Sequence, residues 1–358
     1  MKKLKVGILG ATGMVGQRFI QLLESHPWFE IAVVAASLQS AGKRYENAVL
    51  GRWKMEIPIP ERVKKLKVKS VEGDMKSIAQ QVDFVFSCLD MDKEDIKRTE
   101  EAYASINVPV VSNNSAHRWT KDVPMIMPEI NPDHLKLIGL QRKNRGWGKG
   151  FIAVKPNCSI QSFVSILTAL RRFKPTKVQV VSMQAISGAG KIFDDWPEMV
   201  DNVIPLIVGE EEKSENEPLR IWGNITNGKL QVAKSPNISA VCVRVPVSNG
   251  HMASISVSFM IKPSRRQILA AIHNFQNPIA RLHLPSAPKE FIHYFDEENR
   301  PHTNMDCDFE RGMGITMGRL HEGKHFDWKF VALSHNTIRG AAGGAILMAE
   351  LLVKKGYI

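Results

Sequence analysis

Residues 4–16 read LKVGILGATGMVG, and their reading decides the fold. Leu4–Leu9 is a short apolar run of strand character. A glycine-rich turn follows, and from Met14 to Glu24 the apolar residues Val15, Phe19, Leu22 and Leu23 recur at helical spacing. Gly10, Gly13 and Gly16 give GxxGxxG, a variant of the GxGxxG dinucleotide fingerprint, in the required context of strand, turn and helix. Glycines there permit a tight turn and a close approach of phosphate to backbone, and the N–H groups opening the helix face the anion. Gly10, Thr12, Gly13, Met14 and Val15 are therefore the expected cofactor-binding residues.

Working outward, strands are expected at Glu30–Ala36, Lys64–Val71, Val82–Cys88 and Val108–Ser112, with a helix at Lys93–Ser105. Such alternation predicts a doubly wound parallel sheet of Rossmann type. The second strand ends without the Asp or Glu that grips an NAD ribose. Ser37 and Ser40 instead offer hydroxyls, and Lys43 and Arg44 offer charge, a pattern that favours NADP. Ser87 closes the VDFVFS strand where parallel strands open onto a cofactor.

Residues 113–157 look largely irregular. A helix is expected at Ser159–Phe173, then longer strands at Lys177–Ala185, Ser239–Val247 and Met252–Ile261, a helix at Arg265–Gln276, a hairpin of Gly314–His321 with Phe326–Ser334, and a last helix at Ile338–Lys354. This texture predicts a second α+β domain with a mixed, mostly antiparallel sheet. The expected division is 1–155 with 337–358 for nucleotide binding, and 156–336 for catalysis and dimerisation.

The chain of 358 residues is 44% hydrophobic and 23% charged, a globular composition. It lacks an apolar run of membrane-spanning length. The opening MKKLKVGILGATG carries two lysines like a secretory leader, but its apolar stretch is short and glycine-broken, and it reads as a strand of the mature protein. The net charge of +12 invites a nucleic-acid reading. However, the basic residues are dispersed and aromatics make up only 7%, so attraction of anionic small molecules is the better use of that charge. The four cysteines, Cys88, Cys158, Cys242 and Cys307, form no CxxC pair, which fits a reducing cytoplasm. His321-Glu322-Gly323-Lys324-His325 spells HExxH, but that zinc motif needs a helix, and here strands flank a glycine-containing turn. No metal site is expected.

Cys158 lies in KPNCS (155–159), just before an expected helix. A helix N-terminus stabilises a thiolate and can hold an oxyanion. A thiolate beside a nicotinamide implies covalent acyl chemistry with hydride transfer at the same carbon. A histidine near such a thiol could take its proton and return one later, and an arginine could grip a carboxylate. Cys88 and Cys242, within apolar strands, read as inert core thiols.

GATGMVG, SNNSAHR (112–118), KPNCSIQ (155–161), QAISGAG (184–190), GEEEKSENE (209–217) and NGH (249–251) occur in an order that resembles aspartate-β-semialdehyde dehydrogenases, most closely the archaeal and fungal branch. The resemblance spans essentially the whole chain. It implies reduction of L-aspartyl-4-phosphate by NADPH to L-aspartate-4-semialdehyde and phosphate through a thioacyl Cys158, a step toward lysine or diaminopimelate, threonine and methionine. It implies an acid/base role for His251, substrate contacts from Gln184 and Arg244, an ammonium contact from Glu211 within the run 210–212, and phosphate contacts from Lys213, Arg118 and Asn157. Ser187, Gly188 and Asn336 would lie with the nicotinamide, and the assembly would be a homodimer or homotetramer. Leu38-Gln39 stand where the family often has an arginine, and Cys88 where it often has alanine. Malonyl-CoA reductases resemble the same branch and supply the alternative, with coenzyme A in place of phosphate.

Overall fold

The computed structural model describes residues 2–358 and contains two six-stranded sheets. The first is wholly parallel, in the order β3 (Lys69–Ser70), β2 (Phe29–Ala36), β1 (Leu4–Leu9), β4 (Phe84–Ser87), β5 (Val110–Ser112) and β6 (Ile152–Val154). Its strands are nearly continuous apolar runs because helices cover both faces. The helix Met14–Leu23 buries Phe19 and Ile20 on one of them, where Phe19 stacks on Phe86 at 4.5 Å. The last helix, Gly343–Lys354, packs its apolar length into the same core as β1 and β4.

The second sheet is mixed, in the order β10 (Asn237–Arg244), β7 (Pro175–Gln184), β11 (His251–Phe259), β14 (Trp328–Ser334), β13 (Ile315–Glu322) and β12 (Ile292–Tyr294). The three central pairings are antiparallel and the two outer ones parallel. Strands β8 (Asn224–Thr226) and β9 (Lys229–Gln231) form a separate two-stranded ribbon. The helices Gln161–Ala169 and Arg265–His273 line one face of the mixed sheet, sharing its apolar core.

Several expectations are corrected. The third strand shrinks to two residues, because Pro60 opens a helical turn at Glu61–Lys64. Residues 113–157 are not irregular throughout: they hold the helix Leu137–Arg145 and β6, too short to display periodicity. The run GEEEKSENE (209–217), which has no apolar periodicity, forms most of a helix, Glu210–Ile221. The last helix starts later than expected, after a π turn at Ile338–Ala342. The HExxH residues lie at the β13–β14 hairpin, with His321, Glu322 and His325 exposed. No helix among the described residues is long and apolar enough to cross a membrane.

Candidate active site

The parallel pairing of β7 with β10 sets Gln184 directly beside Arg244 at their C-terminal ends. The neighbouring antiparallel β11 starts at His251 on that same edge. Gly250, at φ +94°, turns the chain into β11, and its N–H donates to Asn336 Oδ1 at 2.8 Å. Across from this edge, the first sheet ends in β6, and Cys158 lies in the turn after it. The site therefore forms at the C-terminal edge of the parallel sheet, where such sheets place their ligands.

Cys158 Sγ is 3.5 Å from His251 Nε2. His251 Nδ1 accepts the Ala185 N–H at 3.1 Å, which leaves the ring proton on Nε2, facing sulfur. Burial, and then the Arg244 charge, pushes the imidazole down to about 3. The ring is thus neutral at pH 7 and donates toward sulfur. Its acceptor nitrogen is engaged by backbone, so the nitrogen that faces the thiol is the one that carries the proton.

The thiol itself departs from expectation. The helix begins at Gln161, not Ser159, so Cys158 is set back from its first N–H groups. Burial pushes the thiol up, and Glu210 adds to that; Lys155, Arg118 and Arg244 pull the other way. Cys88 is pushed up to about 12 and Cys242 to about 11, each by burial first. Both fit inert thiols, although Cys88 borders the cofactor cleft rather than lying in a strand.

The acidic residue facing the site is Glu210, not Glu211. Its carboxylate accepts from Asn157 Nδ2 at 3.0 Å, Lys213 Nζ at 2.7 Å and Gln184 Nε2 at 3.3 Å. Glu211 instead accepts the Cys242 N–H at 3.2 Å on β10. Helical geometry accounts for the one-residue correction, since adjacent helix positions point about 100° apart. Arg118 is nearby, but its Nη1 pairs with buried Glu217 at 2.9 Å and its Nε with the Lys155 carbonyl at 2.9 Å. Glu217 also takes the Asn157 N–H at 2.7 Å, which fixes the loop that carries the thiol. Arg244 Nη1 donates to the Ala185 carbonyl at 2.7 Å, and this orients the guanidinium.

A cleft of about 660 Å³ opens beside the glycine loop. Gly10, Thr12, Gly13 and Ser37 line it, together with Leu38, Gln39, Arg52, Ser70 and Glu72. Gly10 has φ +91°, and a Cβ there would meet the Cys88 carbonyl at 2.3 Å. The expected residues Met14, Val15 and Ser40 do not line this cleft: the first two are already in the helix, and Ser40 is buried in a turn closing on Ser37. Ser87 is buried at the end of β4, accepting from Asn114 Nδ2 at 3.0 Å. Lys43 and Arg44 also lie outside the cleft, Arg44 pairing with Glu46. Asn336 joins Ser187 Oγ at 2.8 Å to the Gly250 turn. Gly188 sits against Arg244 and His251 rather than at this cleft. Arg52 was not foreseen. Gln17 holds its loop by accepting from Lys54 N and donating to the Arg52 carbonyl, a tertiary tie with no local signature.

A glycine-loop parallel sheet whose last strand leads into a cysteine, set against a histidine on an adjoining mixed sheet, is the architecture of semialdehyde dehydrogenases. Residues 5–138 match the family described as "Semialdehyde dehydrogenase, NAD binding domain" and residues 167–339 its "dimerisation domain". Aspartate-semialdehyde dehydrogenases from Aspergillus fumigatus and Archaeoglobus fulgidus are 41% and 42% identical, each over 99% of this chain and 99% and 100% of their own lengths. The chain belongs to the aspartate-semialdehyde dehydrogenase family. The crystal structure of the Candida albicans enzyme with NADP aligns over 100% of both chains with TM-score 0.87 and 36% identity. A Vibrio cholerae aspartate semialdehyde dehydrogenase II shares the fold at TM-score 0.76 and 22% identity, over 100% of both chains.

Proposed function

We propose that this chain reduces L-aspartyl-4-phosphate to L-aspartate-4-semialdehyde with release of phosphate. The observation that carries the reading is the Cys158–His251 pair, ringed by Arg244, Gln184 and Glu210. Cys158 attacks the acyl carbon and phosphate leaves, giving a thioester. Arg244 grips the α-carboxylate, and Glu210, whose carboxylate heads an otherwise cationic and amide-lined group, takes the substrate ammonium. Lys213, Asn157 and Arg118 lie around the leaving phosphate.

The cleft fits a dinucleotide: the glycine loop would hold its diphosphate, and Ser37 with Arg52 would hold a 2′-phosphate. When bound, NADPH supplies hydride to the thioester carbon. His251 Nε2–H then donates to the oxyanion on that carbon, which collapses to aldehyde and expels the Cys158 thiolate without further proton transfer.

The units proposed are 1–155 with 337–358 for the nucleotide and 156–336 for catalysis. The last helix sharing the core of β1 supports the discontinuous first unit. The open face of the mixed sheet, with Val241 exposed on β10, is the proposed homodimer surface, and a tetramer would pair such dimers. Four cysteines free of disulfides support a cytoplasmic location.

The test follows reduced cofactor while aspartate semialdehyde and NADP are mixed with and without inorganic phosphate. Phosphate-dependent reduction is expected, and Cys158→Ser should abolish it. Reduction that needs coenzyme A instead would replace this reading with the malonyl-CoA type. Glu210 favours the amino acid, since malonate has no ammonium to meet it.

A further inference from the structure

The acid that the end of β2 lacks stands at the end of the neighbouring strand. β3 runs parallel to β2 with Ser70 opposite Ala36, and the Val71 N–H donates to the Ala36 carbonyl at 3.2 Å. Ser37 and Glu72 are the next residues on the two chains, and both line the cleft beside the glycine loop. A closed turn holds Glu72 there. The Ser70 N–H donates to Asp74 Oδ2 at 2.8 Å, the Gly73 N–H to Ser70 Oγ at 3.0 Å, and the Asp74 N–H to the Ser70 carbonyl at 3.1 Å. The Glu72 carboxylate is nearly uncommitted. Its one charged partner among the described residues, Arg98, lies 3.7 Å away and pairs with Asp95 at 2.8 Å. Both Arg98 and Glu72 are more than half exposed, so their attraction is weak.

The cleft is also poor in cations. Among the described residues Arg52 is the only lysine or arginine that lines it, and it shares the cleft with Glu72 and Asp90. Arg52 Nη2 donates to the Ala48 carbonyl, which holds the guanidinium in place. Leu38 and Gln39, in the same lining, carry no charge. A ribose 2′-phosphate is a dianion and calls for cations and hydroxyls. A bare 2′-hydroxyl is best gripped by a carboxylate that accepts from it. This cleft holds groups for each: Ser37 with Arg52 for the phosphate, and Glu72 for the hydroxyl.

We propose that Glu72 is the acceptor for a ribose 2′-hydroxyl, and that this chain therefore binds NAD as well as NADP. The proposal rests on reading the cleft as the dinucleotide site. The two cofactors differ there by one group, hydroxyl or phosphate. Glu72 attracts the first and repels the second, and Arg52 does the reverse for the phosphate. Discrimination is then a small difference between opposed contributions. A search for the acid at the end of β2 misses it, because sheet pairing supplies it from the end of β3.

The test is isothermal titration of the protein with NAD and with NADP, in the absence of acyl substrate. The two dissociation constants of the parent should lie within about tenfold of each other. Glu72→Gln keeps the shape and removes the charge. It should weaken NAD about tenfold and leave NADP unchanged or tighter. Arg52→Gln is the reciprocal variant, with NADP weakened about tenfold and NAD unchanged. Glu72 is exposed, so thermal melts of parent and Glu72→Gln should agree and exclude lost structure as the cause. A parent that separates the two cofactors by more than that factor overturns the proposal, and so does a Glu72→Gln variant in which both change equally. Binding of neither cofactor would overturn the reading of the cleft, and this proposal with it. A wrong acyl substrate would appear only in the phosphate-dependence experiment and leave these titrations unaffected.

Discussion

Gly188 has no side chain, and the site depends on that. A Cβ there would come within 2.7 Å of Arg244 Nη1 and 3.1 Å of the His251 ring. Both neighbours are the working ends of side chains, so the arginine head would move before the backbone does. Gly188→Ala should therefore cut kcat/KM about tenfold or more, equivalent to about 1.4 kcal/mol, while the melting temperature changes little. Steady-state kinetics beside a thermal melt checks it, and unaltered kcat/KM would show that the guanidinium has slack. At this scale the sequence was legible where chemistry is concentrated in one residue: Cys158, His251, Arg244 and Gln184 stand out in it, and the structure groups Cys158 with His251 and Arg244 with Gln184. It was not legible where a choice turns on helical phase. In a run of three glutamates composition cannot tell which one points inward, and Glu210 does.

The helix Glu210–Ile221 shows the same limit for a whole element. Its buried positions include Glu210, Ser214, Glu217 and Arg220, a helical stripe that is polar. Amphipathic reading looks for apolar residues at that spacing, so a buried polar face passes for a solvated loop. The helix works as a charged clamp. Glu217 alone joins Arg118 to the Asn157 backbone beside the nucleophile. Glu217→Gln would leave a buried guanidinium unpaired. The expected cost is about 3 kcal/mol, seen as a fall in the urea midpoint, with slower Cys158 chemistry because the loop loses its anchor. A variant as stable as the parent would mean that Arg118 finds another acceptor. Strand β6 was hidden for a different reason. Three residues are too few for any period to register, and its place is set by pairing with β5.

Across the whole molecule, buried ionisable groups tie stability to pH. His335 follows β14 directly, its Nδ1 accepting the Thr337 and Ile338 N–H groups. Burial, and then Arg18, pushes it down to about 3, the same value as His251. In the unfolded chain both imidazoles titrate near 6.5. Between those values the unfolded state binds more protons, so stability rises with pH. Their contribution is complete above about pH 6.5 and is lost as pH falls toward 3. Lys155 has the same sign in a higher window: pushed down to about 7 from 10.5, it lets stability climb as pH rises from 7. Glu100 runs the other way, since burial raises its carboxyl and costs stability above its ordinary 4.5. His335→Gln removes one imidazole, and with it the last and smallest of the influences that lower His251. Melting temperatures measured from neutral to acid pH should then fall less steeply than in the parent. Equal slopes would mean that the His335 imidazole is free to take up a proton while the chain stays folded, and that acid sensitivity arises at other groups.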